Sequence, residues 1–135
     1  MIKGIGHIAL EVSDLEKSLN FYEKVLGFKK LFNLEKDDKL ILVYLKIAED
    51  QYLELFPKKE FVQKENQSFM HICLITDNIF ETVEKIKSKG WHIDIEPFLG
   101  IDGNYQAWIR DPDGNKIEIM QMLPDSLQKR SENLC

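Results

Sequence analysis

Two His–Glu pairs with equal internal spacing constrain this chain more than any other feature. Glu54 follows His7 by 47 positions, and Glu118 follows His71 by the same 47. Each histidine opens an apolar run with strand alternation, and each glutamate sits inside another. A half-pattern that recurs once within 135 residues predicts a duplicated module, each copy built from the same elements in the same order.

The first copy begins with Gly6-His7-Ile8-Ala9-Leu10-Glu11-Val12, whose alternation predicts a strand. Ser13 and Glu16 have the spacing of a capping box, with Ser13 as N-cap. Leu15, Leu19, Tyr22 and Leu26 give one apolar helical stripe, and Gly27 is placed to close that helix in the left-handed region. Strands are expected near Phe28–Asn33, Leu40–Ile47 and Gln51–Phe56, with polar turns at Asp37-Asp38 and Glu49-Asp50. The second copy has a strand at His71–Thr76, a capping box of Asn78 and Glu81 with Asp77 as the alternative cap, and a stripe of Ile79, Val83 and Ile86 stopped by Gly90. Strands at Trp91–Glu96, Tyr105–Arg110 and Lys116–Met122 complete it, the last two joined by the turn Asp111-Pro112-Asp113-Gly114. His7/His71 and Glu54/Glu118 are 64 positions apart, but Gly27/Gly90 and Phe28/Trp91 are 63 apart. A one-residue difference in the strand-to-helix turn accounts for this.

Strand alternation decides which residues share a face. His7 goes with Ala9 and Glu11, Glu54 with Tyr52 and Phe56, His71 with Cys73, and Glu118 with Met120 and Met122. The opposite faces carry Ile8, Leu10, Val12, Ile72 and Leu74, which are fitted to pack under the helices. Two imidazoles and two carboxylates suit one divalent ion of borderline hardness: Ni, Zn, Co, Mn or Fe. The metal ligands expected are therefore His7, Glu54, His71 and Glu118. The fold class is α+β, with two βαβββ modules forming a curved mixed sheet around a metal site. A single domain over 1–123 is expected, with module 1 at about 3–57, a lysine-rich linker at 58–67, module 2 at about 68–123 and a tail at 124–135.

Composition narrows the function classes. A net charge of −5 with scattered lysines gives no nucleic-acid footprint, and no apolar run is long enough for a membrane span. The first strand is expected almost at Met1, so a signal peptide is not expected, and Cys73 and Cys135 do not have the look of a disulfide framework. A reducing cytoplasm is the expected compartment.

With these motifs in place, the chain resembles the vicinal oxygen chelate superfamily, which includes glyoxalase I. The resemblance is carried by Gly6 through Ser18, Phe21-Tyr22, Leu26-Gly27-Phe28, Tyr52-Leu53-Glu54-Leu55-Phe56, His71-Ile72, and Asp111-Pro112-Asp113-Gly114-Asn115-Lys116-Ile117-Glu118. It implies a metal-dependent lyase or isomerase acting on a small α-oxo or α-hydroxy compound or its thiol adduct. It also implies Glu118 or Glu54 as the catalytic proton shuttle, with Glu118 favoured. Extradiol dioxygenases similar to this superfamily need no carboxylate at position 54, so Glu54 favours the lyase branch over an Fe(II) dioxygenase. The complete ligand set likewise disfavours a non-catalytic binding protein. Glutathione-dependent members place an arginine four residues beyond the first histidine, where this chain has Glu11; Lys58 is the nearest candidate to restore a positive contact. The short linker implies a homodimer in which each site takes His7 and Glu54 from one chain and His71 and Glu118 from the other. Arg110, Lys116 and Trp108 flank Glu118 as candidate substrate contacts, with Arg110 more simply an ion pair beside Asp111. Tyr52, Phe56, Tyr105, Met120 and Met122 are candidate cavity residues. Cys73 is expected to be a small buried thiol, and His92 lacks a counterpart in the first copy and is not counted as a ligand.

Overall fold

Apolar residues alternate along the strands, and that alternation builds two sheets, each covered by a helix on one face. The computed structural model describes residues 1–60, 67–132 and 134, so most of the expected linker, and Cys135, lie outside the described residues. The chain divides into two compact units, Met1–Glu65 and Asn66–Cys135.

In the first unit the strands are β1 (His7–Val12), β2 (Lys29–Lys36), β3 (Lys39–Ala48) and β4 (Gln51–Pro57), in sheet order β1-β4-β3-β2. β1 runs parallel to β4, and the other pairs are antiparallel. In the second unit β5 (His71–Ile75), β6 (Ile95–Leu99), β7 (Tyr105–Arg110) and β8 (Lys116–Gln121) take the matching order β5-β8-β7-β6. Each unit is thus a four-stranded mixed sheet with a helix crossing between its first two strands. Helix α1 (Leu15–Leu19) continues into a π-helical segment (Asn20–Val25); α2 is Ile79–Ser88 and α3, in the tail, is Leu127–Glu132.

The core of each unit lies between sheet and helix. Val12, Val43, Leu45, Leu53 and Leu55 pack with Phe21, Tyr22 and Val25 in the first unit. Ile72, Ala107, Ile109, Ile117 and Ile119 pack with Ile79, Val83 and Ile86 in the second. Each such aliphatic side chain, fully buried, contributes about 1.5–3 kcal/mol. Because these residues alternate with His7, Glu54, His71 and Glu118, the same pattern that forms the core turns the polar residues to the other face.

Four local expectations need correction. The first N-cap is Asp14, not Ser13: the Lys17 amide donates to Asp14 Oδ1 at 3.1 Å. Aspartate offers a charged acceptor at the positive end of the helix, which a hydroxyl cannot match. In the second unit Asn78 caps as expected, accepting from the Glu81 amide at 3.1 Å. Of the expected stripe of the first helix, Tyr22 is fully buried and Leu15, Leu19 and Leu26 are half-buried; the other buried positions are Ser18, Phe21 and Val25. The π-helical turn, closed by the Leu26 amide on the Phe21 carbonyl at 3.0 Å, widens the helix enough to bury the adjacent Phe21 and Tyr22 together. This also relocates the one-residue offset. The caps Asp14 and Asn78 are 64 apart, so the strand-to-helix turns are equal in length. The extra residue lies inside the first helix.

Both helices then stop at a left-handed glycine, Gly27 at φ 80° and Gly90 at φ 81°. Beyond each, an amide reaches back to close the helix: Phe28 to the Tyr22 carbonyl at 2.9 Å, and Trp91 to the Ile86 carbonyl at 3.3 Å. The fourth correction concerns β6, expected at Trp91–Glu96 and found at Ile95–Leu99. Residues before it are held otherwise: the Trp91 indole donates to the Arg110 carbonyl at 2.9 Å, and Ile93 is buried. Pro97 inside the strand is tolerated because β6 is an edge of its sheet.

Candidate metal centre

Parallel pairing of the first and last strands in each unit brings one histidine beside one glutamate. In the first unit His7 is in register with Tyr52, and Glu54 is in register with Ala9, two residues further along β1. In the second, His71 is in register with Lys116, and Glu118 with Cys73. The displacement is identical in the two units. Across it, His7 Nε2 lies 3.3 Å from Glu54 Oε2, and His71 Nε2 lies 3.2 Å from Glu118 Oε2. The carboxylates are the better sheltered members, 13% and 15% exposed against 47% and 31% for the imidazoles.

These separations fit the ion that the donor set suits. Two donors held about 2.1 Å from one ion, at angles between 90° and tetrahedral, lie about 3.0–3.4 Å apart. Both pairs fall in that interval, with an imidazole nitrogen facing a carboxylate oxygen. Among the described residues no group of three His, Cys, Asp or Glu forms an ion-holding cluster. The four expected ligands are therefore present as two equivalent His–Glu pairs, one in each unit.

Other expected participants sort by face. Tyr52 and Phe56 share the Glu54 face, and Met120, largely buried, shares that of Glu118. Tyr105 does not: it shares the helix-side face of β7 with Ala107 and Ile109 and meets Phe80 of α2 with ring centroids 5.3 Å apart. Arg110 pairs with Asp94 at 3.1 Å, not with Asp111. Asp111 is occupied by the turn, accepting from the Asp113 and Asn115 amides and the Asn115 side chain. His92 is nearly fully exposed beside Asp94, away from the pair.

Cys73 is exposed, not buried as expected, because it lies on the open face beside Glu118. Partial burial and the Glu118 carboxylate nevertheless push its thiol up to about 11. It stays protonated at neutral pH and does not act as a thiolate. Lys58 does reach the Glu11 position: its Nζ donates to both carboxylate oxygens at 2.9 Å. The lysine is committed to Glu11, and the two half-exposed charges offset each other.

Sequence reasoning did not single out Tyr44. It lies directly opposite Glu54 in β3, as Trp108 lies opposite Glu118 in β7. The signal was available, because Tyr44 and Trp108 are 64 positions apart, like the histidines and the glutamates.

A family model described as the Glyoxalase/Bleomycin resistance protein/Dioxygenase superfamily matches residues 4–119. The chain belongs to this superfamily. Among relatives, the lactoylglutathione lyase of Escherichia coli O157:H7 is 34% identical over 122 residues, covering 85% of this chain and 90% of the relative. The virulence protein STM3117 of Salmonella typhimurium is 35% identical over 126 residues, covering 90% of this chain and 85% of the relative. The solved structure of a glyoxalase family protein from Enterococcus faecalis superposes with a TM-score of 0.75 at 25% identity, over 87% of this chain and 97% of that one. The α+β fold and the glyoxalase-like class expected from the motifs are those of the superfamily. No helix among the described residues is long and apolar enough to cross a membrane.

Proposed function

We propose that this superfamily member is a cytoplasmic, metal-dependent lyase or isomerase of glyoxalase I type, acting on a small α-oxo or α-hydroxy compound or its thiol adduct. The observation that carries the reading is the pair of equivalent His–Glu contacts at one register and at ion-ligand separation. Names of relatives at 31–34% identity point to the same enzyme class. His7, Glu54, His71 and Glu118 would hold one divalent ion. When bound, that ion would polarise a substrate carbonyl and stabilise developing negative charge on its oxygen.

The protein's own part is proton transfer. Glu118 takes the proton from the hydroxyl-bearing carbon beside the carbonyl and returns it to the carbonyl carbon, while the hydroxyl proton passes to the former carbonyl oxygen. Atoms and electrons balance as an isomerisation with no outside oxidant. Its sheltered carboxylate keeps that proton from exchanging freely with water. Glu54, in the same geometry, is the equivalent group of the other half. Ion pairing of Glu11 with Lys58 leaves no free cation at that point of the face, which supports a substrate without a carboxylate there. We take the two modules to act together as one domain over 1–123, and two copies to pair so that each ion draws one half-set from each chain. No nucleic acid or membrane takes part.

Elemental analysis with light scattering on the same tag-free sample tests this. The expected result is a dimer with close to one divalent ion per chain, and loss of the ion in the His7→Ala/His71→Ala variant. Protein that holds no ion and takes none up would remove the reading, and a monomer would remove the shared-site arrangement.

A further inference from the structure

An aromatic ring meets the imidazole in each half-site. His71 and Trp108 have ring centroids 4.8 Å apart at an interplanar angle of 75°. His7 and Tyr44 repeat the edge-on arrangement at 6.3 Å and 69°. Both aromatics are strand neighbours of the paired glutamate, so each stands beside both donors at once. In the second unit the ring is itself held, with the indole Nε1 of Trp108 donating to Gln106 Oε1 at 2.9 Å.

We infer that Trp108 is a positioning residue for the His71–Glu118 pair, with Gln106 as its brace; this rests on the metal-binding reading above. A histidine on an open sheet face can turn about two side-chain torsions, and most of the resulting directions point Nε2 away from its glutamate. The indole stands against one side of the imidazole, and the Glu118 carboxylate meets its Nε2. Edge-to-face packing of this kind prefers one orientation over others. Fixing the indole through Gln106 makes the wall rigid, so the donor is oriented before an ion arrives. Residues that orient ligands without touching the ion typically change its affinity by about 10–100-fold. The wider spacing of Tyr44 and the greater exposure of His7 make the first half-site the looser of the two. Trp108 therefore carries more of the preorganisation than Tyr44.

The probe is Ni2+ alone, titrated into chelator-stripped protein by calorimetry and by tryptophan emission. Trp91→Phe leaves Trp108 as the single tryptophan, since the chain has two. Nickel is expected to quench that emission at the stoichiometry found by heat. Trp108→Leu is expected to weaken Ni2+ binding about 10–100-fold, and Gln106→Leu, which keeps the ring but frees it, by less. Trp108→Phe, which also keeps an unbraced ring, recovers binding to about the level of Gln106→Leu, and Tyr44→Leu has a smaller effect than Trp108→Leu. Circular dichroism of the stripped variants separates this from loss of fold. Unchanged nickel affinity in folded Trp108→Leu and Gln106→Leu, or a loss that Trp108→Phe does not rescue, overturns the positioning role while leaving the metal reading intact. Failure of the unsubstituted protein to bind nickel or any other ion of the expected set overturns both.

Discussion

Glu118→Gln is expected to lower turnover by about 10²–10⁴-fold while the protein keeps its fold. The amide has the size and shape of the carboxylate, and Glu118 sits on the face away from the core, so packing on the helix side is untouched. What disappears is the oxygen that accepts a proton. A glutamine also binds a divalent ion less strongly, because it brings no charge. Ion content must therefore be measured on the same sample as kcat. An ion-loaded Glu118→Gln enzyme with wild-type kcat on the adduct of an α-oxo aldehyde and a thiol would end the assignment. If Glu54→Gln shows the loss instead, the proton shuttle belongs to the first unit. An ion-loaded Glu54→Gln enzyme that retains most of its turnover as an oxygenase would point to the dioxygenase branch.

Phe21→Ala is the substitution expected to weaken the fold most, by about 3–5 kcal/mol. Phe21 is fully buried between helix and sheet and meets the Tyr22 ring edge-on, with centroids 4.9 Å apart. Both rings enter the core because the π-helical turn presents consecutive residues to the same side. Removing one leaves a cavity beside a helix whose geometry is already unusual, so collapse around it is limited. Urea unfolding should show a lower midpoint at an unchanged slope. A loss below about 1 kcal/mol would mean that the turn relaxes to a regular helix and refills the space.

Much of this was legible in the sequence, and the exceptions have physical causes. Strand β7 was expected at Tyr105–Arg110 and is found there, because a central strand shows clean alternation and ends at a strong turn. Strand β6 begins four residues later than expected: Trp91 and Ile93 look like strand residues, yet the Trp91 amide closes the helix end and Ile93 enters the core. The π-helical turn is not legible because an apolar stripe of period 3.6 marks a regular helix and a single widened turn leaves no separate pattern. His7, Glu54, His71 and Glu118 stood out through their spacing, and the structure shows why that spacing matters: it fixes the register that sets imidazole against carboxylate. Trp108 is legible as a neighbour of Glu118, but Tyr44, which obeys the same spacing, is obscured by the commonness of aromatics in strands.

The two halves differ in helix length by one residue, and the place of that difference says something about how such a fold can change over time. A helix can absorb an added residue as a widened turn, at a modest local cost. A donor-bearing strand cannot simply slip by one position, because that would turn His7 or Glu54 to the opposite face of its sheet. By the third strand of each unit the halves are back in step, Tyr44 against Trp108. The helices thus carry a difference in length, whereas the register that sets His7 against Glu54 is kept between His71 and Glu118, so the molecule shows which of its parts can take an added residue without disturbing the donors.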